Sequence, residues 1–225
     1  LALEDGFTLE GESFTGPIEL VGGEVVSNTV MIGYQEVLTD PAYAGQMVCM
    51  TYPTIGSYGI CPSDMESDKI HMTALIVKEC CKHPSNWRSK GNLTDFLIEH
   101  GVPGIEGIDT RSLALHIRRN GSMRACISTS ILDPEELTKK AQELPSDTAT
   151  DFVSAASATT VSRWDAESGK PVPVALNADG SYAWQNASLK IAVVDYGTRR
   201  GVFRNIASMG AEVLIVPATF TCEAM

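Results

Sequence analysis

No stretch of the 225 residues supplies the run of about 18–20 apolar side chains that a membrane-crossing helix needs. Leu1–Asp5 has neither the basic start nor the apolar core of a secretory signal. Positive charge is also scarce: 17 Lys and Arg stand against 28 Asp and Glu, leaving a net charge of −11. Nucleic acid and anionic membrane surfaces would repel such a chain, so neither is expected as a partner. The six cysteines show no framework spacing, and reduced thiols in a cytoplasmic protein are expected. Histidine is limited to four positions, and no paired CxxC or HxxxH pattern is present to complete a four-coordinate metal site. Cys80-Cys81-Lys82-His83 is the one run of metal-capable side chains, but adjacent residues of a strand point to opposite faces. No metal is expected there. The dinucleotide glycines and the P-loop lysine are missing as well. Asp195–Arg200 therefore fits a plain strand-to-helix turn better than an anion site, although exposed N–H groups at such a turn can hold an anion.

What is present is dense turn chemistry around short apolar runs. Between Asn28 and Gly59, Gly33-Tyr34 interrupts the run Val30-Met31-Ile32, and Thr39-Asp40-Pro41 makes a turn. There the Asp side chain can bond the backbone two residues on, while Pro41 fixes φ. Gln46–Thr51 reads as a strand closed by Tyr52-Pro53. A rigid surface loop of this kind often carries function. Upstream, alternating runs on either side of Asp5-Gly6 predict a hairpin with a type I′ turn. Ile70–Lys78 is β-branched and reads as a central strand. Asn92 caps a helix to His100, Asp109 or Thr110 begins another to Asn120, and Asp133-Pro134 opens a third that ends near Leu144. Arg118 and Arg119 fall in the last turn of the second helix, where they offset its dipole and read as a solvated helix end.

From Ser146 the composition turns to Ala, Ser and Thr, which predicts a linker. Val172–Trp184 reads as a hairpin around Asn177–Gly180. Leu189–Val194 is a nearly continuous apolar run, as in a parallel strand buried on both faces. A helix to Met209 and a strand over Glu212–Val216 complete one βαβ unit. Two parallel strands and one helix bury too little to be stable alone, so a longer natural polypeptide is expected.

The segment GYQEVLTDPAYAGQMVCMTYPTIGSYG (residues 33–59) resembles the small, glutamine amidotransferase subunit of carbamoyl phosphate synthase. The resemblance continues through Pro84–Arg88, Gly104–Arg111 and Val193–Gly197, covering roughly residues 1–130 and 189–217. It implies an α/β fold in three parts. Residues 1–145 would form an amino-terminal mixed β/β/α domain, 146–188 a linker with a hairpin, and 189–225 the incomplete start of a three-layer, parallel-sheet class I glutamine amidotransferase domain. It also implies glutamine hydrolysis, with ammonia passed to a large subunit that makes carbamoyl phosphate from ATP and bicarbonate. ATP and Mg would bind that large subunit, and no cofactor is expected in this chain. The family's nucleophile is a cysteine at a glycine-flanked strand-to-helix elbow. None of Cys49, Cys61, Cys80, Cys81, Cys126 and Cys222 has such flanks, so no catalytic residue is expected here. Where the family carries a serine that reaches the glutamine pocket, this chain has Ala42, which leaves only backbone groups for glutamine. A non-catalytic module that docks on a synthetase or other partner is the alternative.

Overall fold

The structure is a computed structural model that describes residues 1–145, 150–178, 180–185 and 188–220. It divides into two units, Leu1–Thr39 with Tyr43–Thr150, and Asp40–Ala42 with the chain from Asp151 onward.

In the first unit the chain runs through β1 (Ala2–Leu3), β2 (Glu12–Ser13), β3 (Val21–Asn28), α1 (Tyr34–Leu38), β4 (Gln46–Met50) and β5 (Thr54–Ile55). It continues through β6 (Ala74–Ile76), β7 (Glu79–Cys80), α2 (Leu93–Glu99), β8 (Gly104–Glu106), α3 (Thr110–Asn120), β9 (Met123–Ile127) and α4 (Pro134–Glu143). Seven strands form one mixed sheet in the order β1-β9-β3-β4-β6-β8-β2, while β5 and β7 pair separately.

Both edge strands of that sheet come from the first thirteen residues, which forces it to curl. Laid flat, seven strands would span about 29 Å at about 4.8 Å per spacing. Yet Leu9 N–H donates to Leu1 O at 3.0 Å, so only three residue-to-residue steps lead from the neighbour of β1 to Glu12. Their reach is about 10 Å. Both faces of the curled sheet are packed, and residues along β4 alternate between them. Val48 and Met50 face a cluster with Leu38 of α1 and Leu97 of α2, whereas Met47 and Cys49 face one with Leu113 and Ile117 of α3. Each such fully buried aliphatic side chain contributes about 1.5–3 kcal/mol.

The caps expected for the three helices are formed. Asn92 accepts from Asp95 N–H, Asp109 from Ser112 N–H and Asp133 from Glu135 N–H. The first hairpin differs in its turn. Leu3 N–H donates to Phe7 O, only Gly6 has positive φ (+90°), and the loop is therefore three residues long. A type I′ turn would need positive φ at Asp5 too. The central strand at Ile70–Lys78 is shorter than its apolar run, since β6 keeps only Ala74–Ile76.

The second unit holds α5 (Phe152–Ala156), β10 (Ser162–Asp165), β11 (Lys170–Pro173), β12 (Leu189–Asp195), α6 (Arg200–Ser208) and β13 (Ala211–Pro217). Its sheet has the order β11-β10-β13-β12, with β12 and β13 parallel and β10 antiparallel to both of its neighbours. Trp164 of β10 and Phe203 of α6 pack with Val213 and Ile215 of β13. Two expectations need correction. The apolar run at Leu189–Val194 is an edge strand and is only partly buried, because β10 places β13 inside; Val213 through Val216 are the buried residues. The ladder of the hairpin lies earlier than Val172–Trp184, as β10 against β11, and no strands flank Asn177 and Gly180 among the described residues, although Gly180 N–H donates to Asn177 O at 2.9 Å. Asp179 lies outside the described residues. The stretch 146–188, expected as a linker with a hairpin, holds α5 and the β10–β11 pair, and its residues 146–149, 179 and 186–187 lie outside the described residues. The architecture is mixed α/β.

Candidate functional site

Ala42 sits in the 3-10 turn Pro41–Tyr43 that follows α1. The Asp-Pro pair acts as its chemistry dictates: Asp40 Oδ1 accepts the Ala42 N–H at 3.0 Å. The Ala42 methyl is exposed and can neither donate nor accept a hydrogen bond, and its N–H is already committed to Asp40. Within the same unit, Arg199 Nε lies 3.7 Å from Asp40 Oδ2. A Cβ on Gly197 (φ +94°) would stand 3.0 Å from Ala156 Cβ and 3.2 Å from Pro41 Cβ. Only glycine permits that backbone angle together with so close an approach.

Gly197 belongs to the turn between β12 and α6, and Asp195 organises this turn. Its buried carboxylate accepts N–H groups from Gly197 at 3.0 Å, Thr198 at 2.7 Å and Ala158 at 2.7 Å. The donors that an incoming anion would need are thereby occupied by the protein's own anion. The turn is a plain one.

In the first unit, residues 33–36 fasten the loop that follows β5. Tyr58 Oη accepts the Gly33 N–H at 2.8 Å, and Tyr34 Oη donates to Gly59 O at 2.6 Å. The two rings stack at 4.1 Å. Gln35 is fully buried and uses both ends of its amide on one residue, donating to Cys61 O at 2.8 Å and accepting from Cys61 N–H at 2.7 Å. Burial pushes the Tyr58 hydroxyl up to about 12 and that of Tyr34 further still, so both phenols stay protonated. Burial likewise raises the Glu36 carboxyl, with Asp64 and Glu66 adding like charge. Neither the stacked tyrosines nor the Gln35 clamp is visible to local pattern reading, since their partners lie more than twenty residues apart. The adjacency Gly-Tyr-Gln-Glu was the one available signal.

Most of the described thiols are shielded from solvent. Cys49, Cys61, Cys80 and Cys126 are buried, and burial drives the Cys49 thiol up to about 12 and raises Cys80 and Cys126. Cys222 lies outside the described residues. Among the described residues no group of three or more His, Cys, Asp or Glu side chains is placed to hold a metal, and Cys80 instead donates its backbone N–H to Glu106 Oε2 at 2.9 Å. No helix among them is long and apolar enough to cross a membrane.

The family model described as carbamoyl-phosphate synthase small chain, CPSase domain, matches residues 1–127. The chain belongs to the carbamoyl phosphate synthase small-chain family. A small chain from Nitratidesulfovibrio vulgaris is 54% identical over 221 residues, which cover 98% of this chain and 58% of that relative. One from Lawsonia intracellularis is 50% identical, with 99% of this chain and 58% of the relative covered. One from Thermosynechococcus vestitus is 41% identical, with 99% and 57% covered. The chain thus spans a little under three-fifths of the length of these small chains. Ala42, the tyrosine pair and Gln35 fall inside the small-chain domain match, whereas β12, α6 and β13 lie beyond it.

Proposed function

We propose that these residues are the amino-terminal part of the small subunit of glutamine-hydrolysing carbamoyl phosphate synthase. The subunit releases ammonia from glutamine and passes it to a large subunit in the cytoplasm. That large subunit uses ATP, Mg and bicarbonate to make carbamoyl phosphate for arginine and pyrimidine synthesis. The observation that carries this proposal is the identity of 54% over nearly the whole chain to a carbamoyl phosphate synthase small chain. Residues 1–145 serve as the amino-terminal domain, and β12-α6-β13 opens a three-layer, class I amidotransferase domain. The nucleophile and its partners come from residues outside these 225, consistent with the buried state of Cys49, Cys61, Cys80 and Cys126. The turn at Ala42 forms one wall of the glutamine pocket through its backbone.

The test is ammonia release by the full-length small subunit that contains these residues, together with its large subunit. Ala42→Ser restores a hydroxyl worth about 0.5–1.5 kcal/mol to a polar ligand, so KM for glutamine falls roughly two- to twelvefold with kcat little changed. A full-length subunit that binds the large chain but releases no ammonia from glutamine refutes the amidotransferase assignment. It would leave the non-catalytic docking module in its place.

A further inference from the structure

The most exposed large apolar side chain of the first unit is not near Ala42 in sequence. Trp87 is 91% exposed, and its loop is unusual in charge as well. Residues 78–90 carry Lys78, Lys82, Arg88 and Lys90 against the single acid Glu79, in a chain whose net charge is −11. Lys82, Trp87, Arg88 and Lys90 are all exposed.

The loop is nonetheless held firmly. Ser85 N–H donates to Ser57 O at 2.9 Å, Lys90 N–H to Ile60 O at 2.8 Å and Ser89 N–H to Asn86 O at 3.0 Å. Asn86 Oδ1 accepts the Arg88 N–H at 2.8 Å, and the Arg88 guanidinium pairs with Asp64 and Ser63. The same Ser57-Tyr58 segment anchors a second exposed apolar tip, because Tyr58 Oη holds Gly33, which follows Met31 (69% exposed) and Ile32 (77% exposed). These bonds hold the backbone on either side of Trp87, so the loop presents its indole to solvent from a pre-organised backbone. Tryptophan and arginine dominate the energetics of protein interfaces, and a rigid loop loses little entropy on docking.

We propose that the Lys82–Lys90 loop is a docking surface for the large synthetase chain, with Trp87 as its apolar anchor and Lys82 and Lys90 as a basic rim. The occupant then presents an apolar pocket bordered by Asp and Glu. This assignment rests on the small-subunit function proposed above. The charge pattern argues for a protein and against nucleic acid or an anionic membrane, since a polyanion would meet the acidic remainder of the chain.

The experiment titrates purified large chain with the full-length small subunit and its variants by calorimetry. Trp87→Ala raises the dissociation constant tenfold or more. The double charge reversal Lys82→Glu with Lys90→Glu also weakens binding, by a factor that shrinks at about 0.5 M NaCl. Leu132→Ala, which removes another exposed apolar side chain (78% exposed), stays within twofold of wild type. Circular dichroism melts of all variants match wild type, because the replaced side chains are solvent-exposed. Values within twofold of wild type for both Trp87→Ala and the charge reversal overturn the docking surface while leaving the small-subunit assignment standing. Failure of the wild-type subunit to bind the large chain at all overturns both.

Discussion

Replacing Gln35 by methionine isolates what the buried amide does. Methionine keeps the length and shape of the side chain but deletes both bonds to Cys61, whose N–H and C=O are then left without them in a site where Gln35 is 0% and Cys61 1% exposed. The Cys61 carbonyl keeps the Asp64 N–H at 2.9 Å, so only the Cys61 N–H is orphaned. That orphan costs about 1–3 kcal/mol and the lost carbonyl bond about 0.5–1.5 kcal/mol, about 1.5–4.5 kcal/mol together. For a unit of this size that lowers Tm by roughly 4–15 °C. Gln35→Glu sharpens the test. An ionised carboxylate can accept from Cys61 N–H but cannot donate to Cys61 O, and burial opposes its charge. The folded state therefore binds the proton more tightly than the unfolded chain does. The stabilisation is present below the usual carboxylate range and is lost as pH rises through the higher folded value. Relative to wild type, Gln35→Glu should be markedly less stable at pH 7 than at pH 4. Thermal melts by circular dichroism and hydrogen exchange on residues 56–61 supply the readouts. A Gln35→Met protein that melts within about 1 °C of wild type, with unchanged exchange in that loop, refutes the assignment of the clamp to this amide.

Two further outcomes follow from packing and charge. A Cβ on Gly23 would stand 2.6 Å from the backbone oxygen of Gly45, which cannot swing aside, whereas nothing lies within 4 Å of one on Gly91. Gly23→Ala should lower the urea midpoint by the equivalent of about 1–3 kcal/mol and Gly91→Ala by less than about 0.5 kcal/mol; equal effects would contradict the packing described for β3. Glu4 is held below its ordinary value chiefly by the side-chain hydrogen bonds of Arg124, whose Nε donates at 2.8 Å. Its folded value being the lower one, its contribution is present above the unfolded carboxylate range and fades as pH falls through the folded value. The stability difference between wild type and Glu4→Gln, under about 1 kcal/mol at neutral pH for so open a pair, should shrink below about pH 4.5. A gap that widens in acid would refute the role of Arg124.

Local signals were legible where the chain carries its own punctuation. Asn92, Asp109 and Asp133 announced three helices, and Asp40-Pro41 announced the turn that presents Ala42. α1 was hidden because it spans five residues and begins at Gly33 with φ +87°, without any side-chain cap. α5 sat inside an Ala, Ser and Thr run that reads as linker, although Asp151 does accept from Ser154 N–H at 2.9 Å. Which strand of the βαβ unit is central depended on β10, whose pairing with β13 joins residues about fifty apart, and a periodicity of side chains carries no information on that. Of the candidate site, the turn was legible and the tyrosine stack was not, for the same reason.

The curl of the first sheet sets a timetable for the growing chain. β1 leaves the ribosome long before its partner β9, which pairs Cys126 with Ala2. At about 5–20 residues per second, translation needs on the order of 6–25 s to deliver that partner. Through this interval Leu3, fully buried in the finished protein, has nowhere to dock, and the edge that β1 will seal stays open. The β1 segment is therefore among the last parts of this sheet to be ordered, and until β9 arrives its edge is open to mispairing.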